Sequence, residues 1–90
     1  MPPIYLDHAA TTPVHPDVIA AMLPLWTTHF GNPSSLHRWG QAANQQLATA
    51  RFQIAAVLNA SPNEIVFTGC GSESDNLALR GVMLAARQQG

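Results

Sequence analysis

A glycine turn after an apolar run carries the clearest chemistry in this 90-residue chain. Residues 65–68 read Ile-Val-Phe-Thr, Gly69-Cys70-Gly71 follows, and Ser72 opens a stretch with helical character. Backbone N–H groups at a helix start lack partners within the helix, and the helix dipole favours an anion beside them. Gly71 would let a ligand approach the backbone, and the Ser72 hydroxyl would add a donor. The pattern predicts a phosphate-binding turn at these two residues.

Two other interpretations of the same turn stay open on local pattern alone. Ser72-Glu73-Ser74-Asp75 matches a capping box, in which the first and last side chains satisfy the helix start without any ligand. The turn also approaches the dinucleotide fingerprint, although Ser74 stands where its third glycine would be. An anion site, a plain helix cap and a nucleotide site are therefore all compatible with the residues.

Metal and thiol chemistry have weaker support. The positions of the candidate metal ligands do not show the spacing of a zinc site, so we predict no metal site. The candidate ligands are His8, His15, His29, His37, Asp7 and Cys70. Cys70 could be a reactive thiol, because it follows a glycine before a helix start. A small buried residue is the simpler interpretation of the same position.

Composition excludes several classes of function. All four basic residues are arginine, so the chain has no lysine for a Walker-type phosphate loop, a lysine base or a Schiff base. We therefore predict no catalytic residue in this chain and no activity for it alone. A net charge of −1 argues against a nucleic-acid partner. We find no membrane span of about 18 apolar residues and no signal peptide, and we expect a cytoplasmic location.

Three helices and one strand are predicted to position the turn. The first helix should start at Pro16 and kink or end near Leu23, because Pro24 interrupts the pattern. The second should cover residues 36–57 along one apolar stripe, with Ser34 or Ser35 as its cap and Gly40 marking close packing. The third should cover residues 72–88. A short extended segment is expected near residues 4–6, and a strand buried on both faces near residues 64–68.

These elements predict an α/β fold that is incomplete in itself. The chain is 47% hydrophobic and 10% charged, so much of its surface should face protein. A folded chain of this mass would bury roughly 63% of its surface, a marginal fraction. One strand makes no sheet, and the apolar third helix suits the inside of a larger α/β domain.

Three blocks of sequence resemble the cysteine desulfurases of the nitrogen-fixation and iron–sulfur-cluster type. They occur in the order and spacing of that family and together cover essentially the whole chain. The blocks are Tyr5-Leu6-Asp7-His8-Ala9-Ala10-Thr11-Thr12-Pro13, then Gly31-Asn32-Pro33-Ser34-Ser35 with His37 and Gly40, then residues 64–78.

The resemblance implies a fold-type I pyridoxal-phosphate enzyme of the class V aminotransferase group. Residues 1–15 would belong to the entrance or small-domain side, and residues 16–90 would start the large cofactor domain. Members are homodimers that remove sulfur from L-cysteine, leaving L-alanine and a persulfide. The persulfide supplies iron–sulfur cluster assembly through acceptor and scaffold proteins.

The resemblance also implies roles for particular residues. Gly71 and Ser72 match the positions that hold the phosphate of pyridoxal 5′-phosphate. Ala10 and Thr11 resemble residues beside the substrate entrance; Asn32 and His37 resemble residues near the active site and the dimer contact. The family's Schiff-base lysine and nucleophilic cysteine lie further along in relatives, and Cys70 does not match that cysteine.

A different class of function is also compatible with the sequence. The chain could be a non-enzymatic interaction module, or a truncated remnant, that docks on a desulfurase or its partners. Its apolar stripe over residues 36–57 would then be the contact surface.

Overall fold

A computed structural model describes residues 1–90 as three helices joined by irregular segments. Helix α1 is Pro16–Thr27, α2 is Arg38–Val57 and α3 is Gly71–Gln89, with a short 3-10 turn at Pro62–Glu64. The chain forms two compact units, Met1–Ala50 and Arg51–Gly90. Each unit is described by itself below. The predicted boundary between residues 1–15 and 16–90 stays a prediction.

Helix α1 starts where the sequence predicts and ends later. Pro16 is at its first position, and the Nδ1 of His15 accepts the Asp17 N–H at 3.1 Å. Of the two predicted effects of Pro24, an end near Leu23 is wrong, because the helix continues through Pro24 to Thr27; a kink there stays a prediction. A proline removes the hydrogen bond of its own N–H and crowds the carbonyl four residues before it, but the hydrogen bonds that follow it can still form. The Pro24 carbonyl still accepts the N–H groups of Thr28 and His29, at 2.9 and 2.8 Å.

Helix α2 begins at Arg38, two residues after the predicted start. The predicted serine cap is wrong: the Nδ1 of His37 accepts the Gly40 N–H at 3.2 Å. Ser34 and Ser35 instead donate their N–H groups to the side-chain and backbone oxygens of Asn32, both at 2.9 Å. These serines therefore close the loop before the helix.

Gly40 is buried where that loop meets the first turn of α2. A Cβ built on it would overlap the carbonyl of Ser35 and lie 2.7 Å from the carbonyl oxygen of Asn32. A Cβ on Gly31 would likewise overlap the carbonyl of Trp39. The close packing predicted at Gly40 is confirmed, and its neighbour is the loop backbone.

The predicted strand near residues 64–68 and the α/β class are both wrong. The structure contains no strand or sheet, so this chain is not a mixed α/β fragment with a clear strand. The backbone leaves the 3-10 turn in an extended conformation at Ile65, and 65–68 then have no regular structure. A strand needs a neighbour to pair its N–H and C=O groups, and the chain supplies none. Val66 and Phe67 are 65% and 41% exposed rather than buried.

The extended segment near residues 4–6 also has no strand partner. Ile4 and Leu6 are exposed. The hydroxyl of Tyr5 lies 3.0 Å from the Asp7 carbonyl oxygen and 2.9 Å from that of Thr11. The tyrosine therefore ties this segment to the turn that follows, in place of a sheet.

Few residues are buried. Ala43 and Ala55 are the buried hydrophobic residues, at 7% and 1% exposure, and α1 and α3 bury none. The accessible surface is 8065 Å², whereas a folded monomer of this mass exposes about 5,000 Å². The large apolar side chains of α3 are all exposed; they are Leu77, Leu79, Val82, Met83 and Leu84.

Candidate functional site

The glycine turn places the start of α3 at its second glycine. Gly71 is the first helical residue, and Cys70 before it is extended, with φ −165° and ψ 170°. The Cys70 side chain makes no capping hydrogen bond. The thiol is free and exposed, so the interpretation of Cys70 as a small buried residue is wrong.

The backbone at the start of α3 is open to approach. A Cβ built on Gly71 would meet no atom within 4 Å. The Ser72 carbonyl accepts the Asn76 side-chain amide at 2.8 Å, while its hydroxyl makes no hydrogen bond within the chain. The first N–H groups of a helix have no partners inside it. The amides of Gly71 and Ser72, together with the Ser72 hydroxyl, can therefore donate to an anion.

The hydroxyl groups of Thr68 and Ser74 stabilise the glycine turn. The Oγ1 of Thr68 and the Oγ of Ser74 lie 2.6 Å apart. Both are also near the Cys70 carbonyl oxygen, at 3.2 Å from Thr68 and 3.3 Å from Ser74. The capping box between Ser72 and Asp75 is not formed, so Thr68 and Ser74 organise the turn and leave Ser72 free.

Glu73 is the one acidic side chain that bonds within the turn. Its carboxylate accepts the Gly69 N–H at 2.8 Å. This contact orients Gly69, and it also brings a negative charge to the first turn of α3, where that charge stabilises the helix. The same charge opposes the binding of a second anion nearby. A glutamate three residues after the N-cap is the nearest sequence signal, although in a capping box it would bond the N–H of the N-cap residue, Cys70, rather than that of Gly69.

Arg51 holds the segment that leads into the turn, a role not predicted from the sequence. Its guanidinium donates to the Ile65 carbonyl and lies 4.8 Å from the centre of the Phe67 ring. Arginine suits this position because its planar group can donate and stack at once. No local signal identifies the contact, since the residues are far apart in sequence.

The first predicted pair of substrate-side residues lies in a turn near the N-terminus. The N–H groups of Ala10 and Thr11 point to the Asp7 carbonyl oxygen, at 3.1 and 3.4 Å. The Nδ1 of His8 is 2.9 Å from the Oγ1 of Thr12, and its ring packs edge-on against Tyr5. The turn is therefore held by its own residues.

The second pair, Asn32 and His37, lies in the loop that opens α2. Both side chains are committed to the backbone, Asn32 to the Ser34 N–H and His37 to the Gly40 N–H. No hydrogen bond joins this loop to the Ala10–Thr11 turn. The roles of all four residues toward a substrate stay predictions.

No three His, Cys, Asp or Glu side chains come close enough together to hold a metal ion. None of the helices combines the length and the apolar character needed to cross a bilayer.

The family model for class-V aminotransferases matches residues 4–90. This chain belongs to the class-V aminotransferase family. Its resemblance to cysteine desulfurases is confirmed by curated relatives. It is 52% identical over 82 residues to a cysteine desulfurase of a Nostoc species, a match that covers 91% of this chain and 20% of the relative.

Two further relatives agree with the first. A "Cysteine desulfurase IscS" of Vibrio cholerae is 53% identical over 91 residues, covering 98% of this chain and 22% of the relative. A "Putative cysteine desulfurase IscS 1" of Bacillus subtilis is 47% identical over 87 residues, covering 97% and 23%. The chain thus spans about a fifth of the length of these relatives. No solved structure matches it significantly.

Class-V membership implies dependence on pyridoxal 5′-phosphate. The start of α3 fits the phosphate end of that cofactor, because the Gly71 backbone is open and Ser72 offers a free hydroxyl. The aldehyde end needs an amine, and the chain has no lysine. The residues present therefore fit one end of the cofactor only.

Proposed function

We propose that this chain forms the phosphate-binding part of a pyridoxal-phosphate-dependent cysteine desulfurase. The open, uncapped start of α3 at Gly71 and Ser72 is the observation that carries the proposal. The identity of about half with named desulfurases supports the same function. The parent reaction would convert L-cysteine to L-alanine and a persulfide for iron–sulfur cluster assembly.

The residues of this chain would bind and orient the cofactor rather than react. The Gly71 and Ser72 amides and the Ser72 hydroxyl would donate to the phosphate, and Thr68 with Ser74 would keep the turn rigid. When bound, pyridoxal phosphate supplies the electron sink for chemistry at the substrate's α-carbon. With no lysine, the chain alone should be inactive.

The remaining parts of the proposal come from the family resemblance. Ala10, Thr11, Asn32 and His37 would lie on the substrate side of the assembled site. L-Cysteine would be the substrate, the parent would be a homodimer, and sulfur-acceptor and scaffold proteins would be its partners. A cytoplasmic location remains a prediction from the sequence.

A chimeric protein tests the proposed function. In this chimera, the matched residues of this chain replace the corresponding segment of the Nostoc desulfurase. With pyridoxal phosphate and L-cysteine, we expect the chimera to release alanine and sulfide in equal amounts in the presence of a thiol reductant. The chain alone, under the same conditions, should release neither. A folded chimera without activity, or an active isolated chain, would contradict the proposal.

A second candidate function is an interaction module that docks on a desulfurase. The exposed side chains of Ile54, Val57 and Leu58, which line a shallow apolar depression, favour it. Sedimentation of the chain mixed with the intact Nostoc desulfurase separates the two functions. Saturable binding that Val57→Asp abolishes would support the interaction module. An absence of binding would rule out the module and leave the phosphate-binding function as the only proposal.

A further inference from the structure

Helices α1 and α2 both begin at a histidine cap, an unusual choice of cap. Ser, Thr, Asp and Asn are the residues that usually accept the first free N–H groups of a helix. Here the Nδ1 of His15 accepts from the Asp17 N–H, and the Nδ1 of His37 accepts from the Gly40 N–H. A backbone N–H can only donate, so each Nδ1 must carry its lone pair and each ring must be neutral.

Protonation removes a cap of this kind. The added proton sits on Nδ1, which then donates and no longer accepts. The resulting cation also lies at the positive end of the helix dipole, where a positive charge is unfavourable. Histidine is the side chain whose charge changes in the range of pH 5 to 8.

The surroundings of the two histidines differ in charge. The Nδ1 of His15 is 3.9 Å from the Asp17 carboxylate, which can attract the protonated ring and offset part of the loss. No carboxylate lies within ion-pair distance of His37, and α2 has no acidic residue in its first turn.

The groups around His37 carry only positive or neutral charge. Residues 31–36 include no titratable side chain, and His29 is the nearest one before them in sequence. Arg38 follows His37, with its guanidinium 4.3 Å from the centre of the Trp39 ring, and that ring packs edge-on against His37. No carboxylate lies within ion-pair distance of His37 to compensate for its positive charge.

We propose that His37 is a pH-dependent helix cap, whose protonation frays the first turn of α2 and releases the loop of residues 31–36. The loop is coupled to the cap because Gly31 and Gly40 hold its backbone in direct contact with that first turn. Raising the pH restores the neutral ring and the cap. This inference does not depend on the proposed function.

Amide hydrogen exchange at Gly40 tests the proposal. The full chain is compared at pH 8 and pH 5, with protection factors that correct for the intrinsic exchange rate. Loss of a cap changes the stability of a helix start by about 1 kcal/mol, so we expect the Gly40 protection factor to fall roughly fivefold at pH 5. His37→Asn keeps an acceptor that does not titrate, and its Gly40 protection should be the same at both values.

His15→Asn is the matched control, and Gly40 in that variant should still lose its protection at pH 5. Equal protection of wild-type Gly40 at both pH values would overturn the proposal. So would the same loss in His37→Asn, or an unprotected Gly40 already at pH 8.

Discussion

At the scale of single residues, Glu73 sets the charge at the start of α3. Its carboxylate accepts the Gly69 N–H at 2.8 Å, beside the amides that we propose for the cofactor phosphate. The glutamate thus has two opposite effects. It stabilises the turn through that hydrogen bond, and it weakens the binding of a second negative group close by.

Removing this charge should strengthen phosphate binding. Glu73→Gln keeps an oxygen for the Gly69 N–H and removes the repulsion, so the chimera should bind pyridoxal phosphate about two- to fivefold more tightly. Asp75→Asn is the control, because that carboxylate makes no contact in the turn. Equilibrium dialysis measures both affinities. An equal gain in affinity for Glu73→Gln and Asp75→Asn would contradict a specific effect of Glu73, because it would depend on net charge alone.

At the scale of elements, the loop and first turn of α2 depend on glycine. Gly40 is buried against the carbonyls of Asn32 and Ser35, whereas a Cβ on Gly81, in the middle of α3, would meet nothing within 4 Å. The same substitution should therefore have opposite effects in the two helices.

Alanine in place of each glycine tests this packing. Gly40→Ala should lower the free energy of unfolding by about 1–3 kcal/mol through overpacking. Gly81→Ala should raise helix stability by up to about 1 kcal/mol. Circular dichroism during urea unfolding of the 90-residue chain measures both. A Gly40→Ala variant as stable as the unsubstituted chain would contradict the packing described for the loop.

The three helices could be predicted from the sequence, whereas the absence of a strand at residues 65–68 could not. Helix periodicity and the Pro16 start depend on neighbours in sequence, so they located α1, α2 and α3 to within a few residues. The run at 65–68 has strand character, but a strand forms only against another strand, and none is present. Local pattern likewise could not find the contact of Arg51 with Ile65. The backbone at Gly71 is open, and its role toward a phosphate stays a prediction.

At the scale of the whole molecule, exposed apolar surface dominates. The chain exposes 8065 Å² and buries only Ala43 and Ala55 among its hydrophobic residues. Surface of that kind usually contacts other protein. The curated relatives are about five times as long as this chain, which also leads us to expect that its apolar surface contacts other protein.

The isolated chain should therefore bind hydrophobic dyes. We expect strong fluorescence enhancement of 1-anilinonaphthalene-8-sulfonate, because the apolar faces of α1 and α3 are exposed to solvent. For the same reason, we expect the chain to self-associate in sedimentation experiments. The chimera, at equal concentration, should bind much less dye per chain. A monomeric isolated chain with little dye binding would contradict the exposure described for these helices.

The central claim is that the start of α3 binds the cofactor phosphate, and the Ser72 hydroxyl tests it most directly. A hydrogen bond to a charged group contributes about 1.5–3 kcal/mol. We therefore predict that Ser72→Ala in the chimera raises the dissociation constant of pyridoxal phosphate about tenfold or more, while Ser72→Thr, which keeps the hydroxyl, leaves it nearly unchanged. An affinity of Ser72→Ala equal to that of Ser72→Thr would contradict the claim.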